Sequence, residues 1–127
     1  MNIWMIIGAG AVSFIVGALW YTILFGKTWM NEVDLTEEQI EKSGGGTIPM
    51  VITLFIEILV AFLVFFLISK LQLPVFTAGL LIAAIAVTSS LKNYLFEKKS
   101  LKLILINEGY KTACILIMTA IYYLVLK

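Results

Sequence analysis

The sequence has no histidine and no arginine, and only 13% of its 127 residues carry a charged side chain. Without a basic tract the chain has nothing to neutralise a run of phosphates, so we expect no nucleic-acid partner. Histidine is the commonest metal ligand and the usual base of a catalytic triad, and no serine, cysteine or lysine lies beside another recognisable base. We therefore expect no metal, no other cofactor and no enzymatic activity.

Cysteine is almost absent as well. Cys114 is the only one, and it lies within an apolar run. A single cysteine cannot form an intrachain disulfide, so it tells nothing about the redox compartment. We interpret Cys114 as a small buried hydrophobe rather than a reactive thiol.

Apolar residues, in contrast, are in large excess. They make up 61% of the chain, and the mean hydropathy is +1.04. A soluble domain of this size has room for one core and normally carries about 25% charged side chains. The composition therefore excludes a soluble domain, a disordered chain and a disulfide scaffold, and it predicts an integral membrane protein in contact with the lipid bilayer.

Four long apolar segments predict the architecture. Residues 3–25 contain no charge, and as a helix they would extend about 34 Å, enough to cross a hydrocarbon layer of about 30 Å. Residues 48–69, 73–91 and 103–126 form the other spans. We predict an all-α integral membrane protein, a single domain of four transmembrane helices in a compact bundle. The third helix is expected to run on through Asn93 to Glu97.

The fourth span leaves two alternatives open, because its first half contains Asn107, Glu108 and Lys111. Either the helix crosses whole, or residues 101–106 lie at the interface and the crossing begins near Tyr110. A crossing limited to residues 110–126 would be at the short limit of about 17 residues. We therefore favour the continuous helix.

The loop of residues 27–46, between the first two spans, is acidic. Thr36 and Gln39 have the spacing of a capping box, flanked by Leu35 and Ile40 at the positions of a hydrophobic staple, so a short interfacial helix is expected to start there. Gly44, Gly45 and Gly46 would end it. We interpret the loop as a solvated connector at the membrane surface, close to the basic hairpin of residues 98–102.

Lysine bias predicts the orientation in the plasma (inner) membrane. Loops 26–47 and 92–102 share one side and carry six lysines, against two on the other side. These six are Lys27, Lys42, Lys92, Lys98, Lys99 and Lys102. By the positive-inside rule, both loops are predicted to be cytoplasmic and both termini outside.

Small and polar residues form a stripe along the third span, at steps of three and four. The stripe contains Gly79, Ala83, Ala86, Ser90, Asn93 and Glu97, and Gly10, Ser13 and Gly17 form a similar face on the first span. Small residues allow membrane helices to approach closely, so helix packing is the first interpretation. The functional interpretation is that the seam widens into a polar pocket near Asn93 and Glu97.

Glu57 lies near the middle of the second span, where an ionisable group is costly and suggests function. It is nine residues from the cytoplasmic end, about 14 Å, and Lys111 lies at a similar depth of about 12 Å on the fourth span. Three interpretations stay open: a buried pair of Glu57 with Lys111, a protonated lone carboxyl facing other helices, and a solute or proton site.

Several segments resemble one family in order along the chain. They are Gly17-Ala18-Leu19-Trp20-Tyr21, Phe25-Gly26-Lys27 with Trp29, Leu35-Thr36-Glu37-Glu38, Asn93-Tyr94-Leu95-Phe96-Glu97, and Ile106-Asn107 with Gly109-Tyr110. The chain resembles the small bacterial membrane proteins grouped as domain of unknown function 1761. The resemblance implies four spanning helices and no established activity. The sequence departs from the family in having Thr22-Ile23 where a proline often follows the Trp-Tyr pair.

Two function hypotheses follow. In the first, a homo-oligomer binds or moves a small polar solute or ion, because four helices alone enclose little lumen. Its polar pocket would contain Glu57, Asn93, Glu97, Asn107, Lys111, Tyr21 and Tyr110, with Trp20 nearby. The simpler interpretation of the aromatic residues is an interfacial belt. In the second hypothesis, the protein is a structural or accessory component that packs with a partner.

Overall fold

A computed structural model describes residues 2–33, 36, 38–39 and 47–126 of the chain. The helices in these residues are α1 (Ile3–Leu19), a π-helical segment (Trp20–Leu24), α2 (Gly26–Glu32), α3 (Thr47–Lys70), α4 (Val75–Glu97) and α5 (Leu101–Leu126). Four stretches are long and apolar enough to cross a membrane: α1 with its π-helical segment, α3, α4 and α5. The predicted all-α bundle of four transmembrane helices is confirmed, and the fourth span is one continuous helix.

A π-helical segment ends the first span without any proline. The Phe25 amide donates to the Trp20 carbonyl at 2.9 Å, a bond between residues five apart. The Thr22 hydroxyl donates to the Ala18 carbonyl inside the preceding turn, a local bond of the kind that competes with the regular helix ladder. Trp20 and Tyr21, which begin this segment, both bond to α5.

The hairpin between α4 and α5 is closed by local hydrogen bonds. Lys98 takes the left-handed conformation with φ 56°, and the Lys99 amide donates to the Tyr94 carbonyl at 3.1 Å. The Ser100 hydroxyl accepts from the Leu103 amide at 3.1 Å and donates to a Glu32 carboxylate oxygen at 2.6 Å. The predicted proximity of the acidic loop and the basic hairpin is therefore confirmed at Glu32, through Ser100.

A short helix, α2, lies between the first two spans, and Glu38 and Gln39, just after the predicted start at Thr36, are helical as well. The predicted capping box is confirmed, because the Thr36 amide donates to Gln39 Oε1 at 2.9 Å and the Gln39 amide donates to Thr36 Oγ1 at 3.1 Å. The staple residues Leu35 and Ile40 and the glycines of residues 44–46 lie outside the described residues.

The spans pack as two pairs. α1 packs mainly on α3, α4 packs mainly on α5, and α5 makes smaller contacts with α1 and α3. A Cβ atom on Gly10 would lie only 2.6 Å from the Ile58 Cα, so the backbones of α1 and α3 are in close contact there. A Cβ atom on Gly79 would overlap the Thr119 side chain, so α4 and α5 approach similarly closely.

One apolar core fills the half of the bundle away from α2. Its buried residues are Ile6, Ala9, Ala61, Val64, Phe65, Ile68, Ala78 and Met118. The other half contains most of the polar side chains, and many of these lie on α5, which is both the least apolar span and the most buried one. Because lipid offers no hydrogen bonds, the span that carries polar groups is stabilised by lying among the others.

Candidate functional site

A cavity of about 460 Å³ lies where all four spans meet. It is lined by Tyr21, Glu57, Val60, Ala86, Tyr94, Asn107, Glu108, Tyr110, Lys111, Cys114 and Ile115. Five of the seven residues predicted for a polar pocket therefore line this cavity: Tyr21, Glu57, Asn107, Tyr110 and Lys111. No group of three or more His, Cys, Asp or Glu residues able to hold a metal occurs among the described residues.

The cavity extends from the end of the bundle that carries α2 to about its middle. Glu57 lies ten residues after the start of α3 and Lys111 ten residues after the start of α5, each about 15 Å along its helix. Asn107 is about 9 Å along α5, and Tyr94 is about 5 Å from the end of α4. In a hydrocarbon layer of about 30 Å, the two charged groups are therefore near the midplane.

Lys111 pairs with Glu108, which corrects the pairing with Glu57 considered from the sequence. The Lys111 Nζ lies 3.0 Å from Glu108 Oε2 and 3.1 Å from Oε1. It also donates to the Ser90 hydroxyl and, at 3.4 Å, to the Ala86 carbonyl. Residues three apart on a helix are neighbours, so the local pair forms without any tertiary requirement. A pair of Lys111 with Glu57 instead would leave Glu108 buried without a partner.

Glu108 is a further residue of the cavity that the sequence pattern did not single out. Its side chain is only 7% exposed, and it lines the cavity. The available signal was its position three residues before Lys111 in a largely apolar span, because an acid and a base at this spacing neutralise each other on one helix face.

Glu57 is 9% exposed and has no ion-pair partner in the part of the chain that the structure describes. The Tyr110 hydroxyl lies 3.1 Å from Glu57 Oε1 and also 3.1 Å from the Ser13 carbonyl oxygen. A hydroxyl has a single proton, so Tyr110 fully donates to only one of these oxygens at a time. Glu57 is thus a carboxyl group that faces α1 and α5 and is hydrogen-bonded but not ion-paired.

Aromatic side chains position the polar groups of α1 against α5. The Tyr21 hydroxyl donates to Asn107 Oδ1 at 2.8 Å, and the indole N–H of Trp20 donates to the Ile106 carbonyl at 2.9 Å. The Tyr21 and Tyr110 rings meet edge to face, with centroids 5.4 Å apart. These bonds connect consecutive residues of the π-helical segment to consecutive residues of α5.

Asn93 and Glu97 lie outside the cavity, contrary to the pocket expected from the sequence. Both are exposed, whereas the half-buried Tyr94 lines the cavity. At 3.6 residues per turn, Tyr94 lies about 40° around the helix from Ser90 and Asn93 about 60° in the other direction, away from the seam. Glu97 is in the last turn of α4, where the chain leaves the bundle.

The other residues of the predicted packing faces lie between helices. Ser13 and Ala83 are buried, and a Cβ atom on Gly17 would lie 2.6 Å from the Tyr110 hydroxyl oxygen. Ala86 and Ser90 are half-buried and both accept hydrogen bonds from Lys111. Part of the stripe on α4 thus contributes to the wall of the cavity as well as to packing.

A second, largely apolar cavity of about 510 Å³ adjoins the first. It lies between α1, α2, α3 and α5, and its walls include Phe14, Trp29 and Met50. Tyr21, Asn107 and Tyr110 line both cavities. The hydrogen-bonded Tyr21 and Asn107 side chains therefore belong to the partition between a polar and an apolar space.

A packed layer lies beyond the polar cavity, toward the opposite end of the bundle. Phe65 and Met118 are fully buried, one to two turns past Glu57 and Cys114 on their helices. The Phe65 ring also packs edge to face against Tyr122, with centroids 5.5 Å apart. The cavity is therefore separated from that end by well-packed apolar side chains.

The fold and the cavity define a small four-helix membrane protein with ionisable groups inside its bundle. The family model described as "Protein of unknown function (DUF1761)" matches residues 4–123. The chain belongs to this family, as its resemblance predicted. No curated protein and no solved structure matches the chain.

Proposed function

We propose that the protein binds a small polar solute or ion in the polar cavity and moves it across the plasma membrane as a homo-oligomer. The observation that carries this proposal is Glu57, an acidic side chain without a basic partner in the described residues, at the edge of a cavity near mid-membrane. Ionisable residues within membrane spans are costly and mark solute or ion pathways. The volume of the cavity, about 460 Å³, is typical of small-molecule pockets.

The packing of the helices favours a transporter over an open channel. The layer around Phe65 and Met118 separates the cavity from one end of the bundle. The pair α1–α3 and the pair α4–α5 are each tightly packed, while the contacts between the pairs are smaller. The cavity is lined by residues of both pairs, so a relative movement of the pairs would change access to it, as in alternating-access transporters. One bundle of four helices has little lumen, so the proposal includes the association of several copies to form the transport path.

Transport is tested with vesicles that contain the full-length protein. The panel consists of two charged solutes, the cation methylammonium and the anion acetate, and the readout is the current that each evokes. We expect at least one current, lost in Glu57→Gln and retained in Glu97→Gln, the same substitution at an exposed position outside the cavity. Chromatography in detergent reports assembly. If the unaltered protein gives no current and the Glu57→Gln variant does not assemble, the results would instead favour a structural or accessory component that packs with a partner.

Orientation is tested separately. The lysine bias supports cytoplasmic loops, and cysteines placed at Ser43 and Ser100 in a Cys114→Ala background report on each. We expect neither to react with an impermeant thiol reagent added outside intact cells. Reaction of either cysteine under these conditions would contradict the proposed topology.

A further inference from the structure

The charges that line the polar cavity do not balance. Glu57 and Glu108 contribute two carboxylates, and Lys111 contributes one ammonium group. Lys111 donates a hydrogen bond to Glu108 Oε1 and lies 3.0 Å from Oε2, so this ion pair is neutral by itself. Glu57 is left as one carboxylate without a counter-charge among the described residues. A buried charge is costly unless it is paired, so an occupant with one positive charge would stabilise the ionised form of Glu57.

The rest of the cavity wall matches an organic cation better than a metal ion. Tyr21, Tyr94 and Tyr110 line the cavity together with the aliphatic side chains of Val60 and Ile115. Aromatic ring faces attract ammonium groups, and the attraction grows when water is excluded. Hard metal cations instead require a shell of several oxygen ligands, and the Asn107 Oδ1 and the Glu108 carboxylate are already engaged by Tyr21 and Lys111.

We propose that the polar cavity binds a small monovalent organic cation, an ammonium group with short alkyl substituents, with the Glu57 carboxylate as its counter-charge. This inference rests on the proposed binding function and specifies its ligand class. The aromatic and aliphatic wall contacts the alkyl groups, and the Glu57 carboxylate neutralises the positive charge. The opposite charges of Lys111 and Glu108 cancel, so this pair selects little between cations and anions. The selection for a cation therefore falls to the Glu57 carboxylate.

The binding experiment compares three molecules of similar shape and different charge. The purified full-length protein in detergent is titrated in a calorimeter with tetramethylammonium, with neutral tert-butanol and with the anion pivalate. We expect saturable binding of tetramethylammonium alone. The affinity should fall by at least about tenfold in Glu57→Gln, since a contact with a charged group is lost. Glu57→Asp, which keeps the charge, should restore part of it, and Glu97→Gln should bind like the unaltered protein.

The cysteine of the variant Val60→Cys, in a Cys114→Ala background, provides a second measurement, because Val60 lines the cavity and is half-buried whereas Cys114 itself is buried. Tetramethylammonium should slow its alkylation by a small maleimide, and pivalate should not. Equal protection by all three molecules, preferential binding of pivalate, or binding of sodium in place of tetramethylammonium would overturn the cation inference. If the cation inference fails but a solute current is still measured, the proposed transport function is still supported. If neither binding nor any current is measured, both the transport proposal and the cation inference are contradicted.

Discussion

Replacing Gly10 with alanine tests the close contact of α1 with α3 and its consequence for the cavity. The new Cβ would lie 2.6 Å from the Ile58 Cα and 2.7 Å from the Ile58 nitrogen. Carbon atoms in favourable contact are about 3.5–4.0 Å apart, so the two helices would have to separate locally by about 1 Å. The clash involves backbone atoms, so rotation of a side chain cannot relieve it. Because Glu57 precedes Ile58, the same displacement would move its carboxyl group relative to Tyr110.

We expect Gly10→Ala to lower the free energy of unfolding by about 1–3 kcal/mol, the range for overpacking a well-packed contact. Gly8→Ala is the matched control, because a Cβ at Gly8 would have no atom within 4 Å. Both substitutions replace glycine with the better helix former in the same helix, so the difference between them isolates the clash. The assay is sodium dodecyl sulfate denaturation of the detergent-solubilised protein, followed by tryptophan fluorescence. Equal stability of the two variants would refute the close contact.

The remaining predictions use the same denaturation assay. Lys111→Met should destabilise the protein more than the double change Lys111→Met with Glu108→Gln, because the single change leaves a buried acid unpaired. The loss in free energy of unfolding for the single change should stay below the about 3–5 kcal/mol of fully buried pairs, since the Lys111 side chain is 34% exposed. An equal loss in both would contradict the pairing. Tyr21→Phe removes the hydrogen bond to Asn107 and should lower the free energy of unfolding by about 0.5–1.5 kcal/mol. Ser100→Ala removes the cap of α5 and should lower the free energy of unfolding by about 1 kcal/mol. Glu32→Gln changes only the exposed partner of Ser100 and should alter the free energy of unfolding by no more than about 0.5 kcal/mol. A larger effect of Glu32→Gln than of Ser100→Ala would show that Ser100 stabilises the protein through Glu32 and not as a helix cap.

The four spans were predictable because lipid imposes a length and a composition on each crossing helix. The capping box at Thr36 was predictable for a related reason, since it depends only on residues three apart. The π-helical segment from Trp20 was not. Helical periodicity assumes a constant rotation per residue, and a bond between residues five apart changes that rotation locally. The directions of Trp20 and Tyr21 toward α5 therefore required the structure.

The candidate site was predictable in its membership more than in its pairing. Depth along the helices indicated that Glu57 and Lys111 lie at similar levels, and the structure brings both to one cavity. Depth does not determine the direction around each helix, however, and so it could not decide which acid Lys111 would bind. The choice falls to Glu108 because a neighbour on the same helix is within reach whatever the packing. The position of Glu97 beyond the cavity similarly depends on where α4 leaves the bundle.

Some polar groups inside the bundle are explained by the stability of the fold, and Glu57 is not. A span with an asparagine, an acid and a base in its first half must be surrounded by other helices, and α5 contacts every other span. Stability alone is satisfied by the Lys111–Glu108 pair, which neutralises both charges. Glu57 is different, because an apolar residue at its position would pack against α1 and α5 without any charge to compensate. A carboxyl group kept there, bonded by a single tyrosine hydroxyl and open to a cavity, therefore supports a ligand-binding role over a purely structural one.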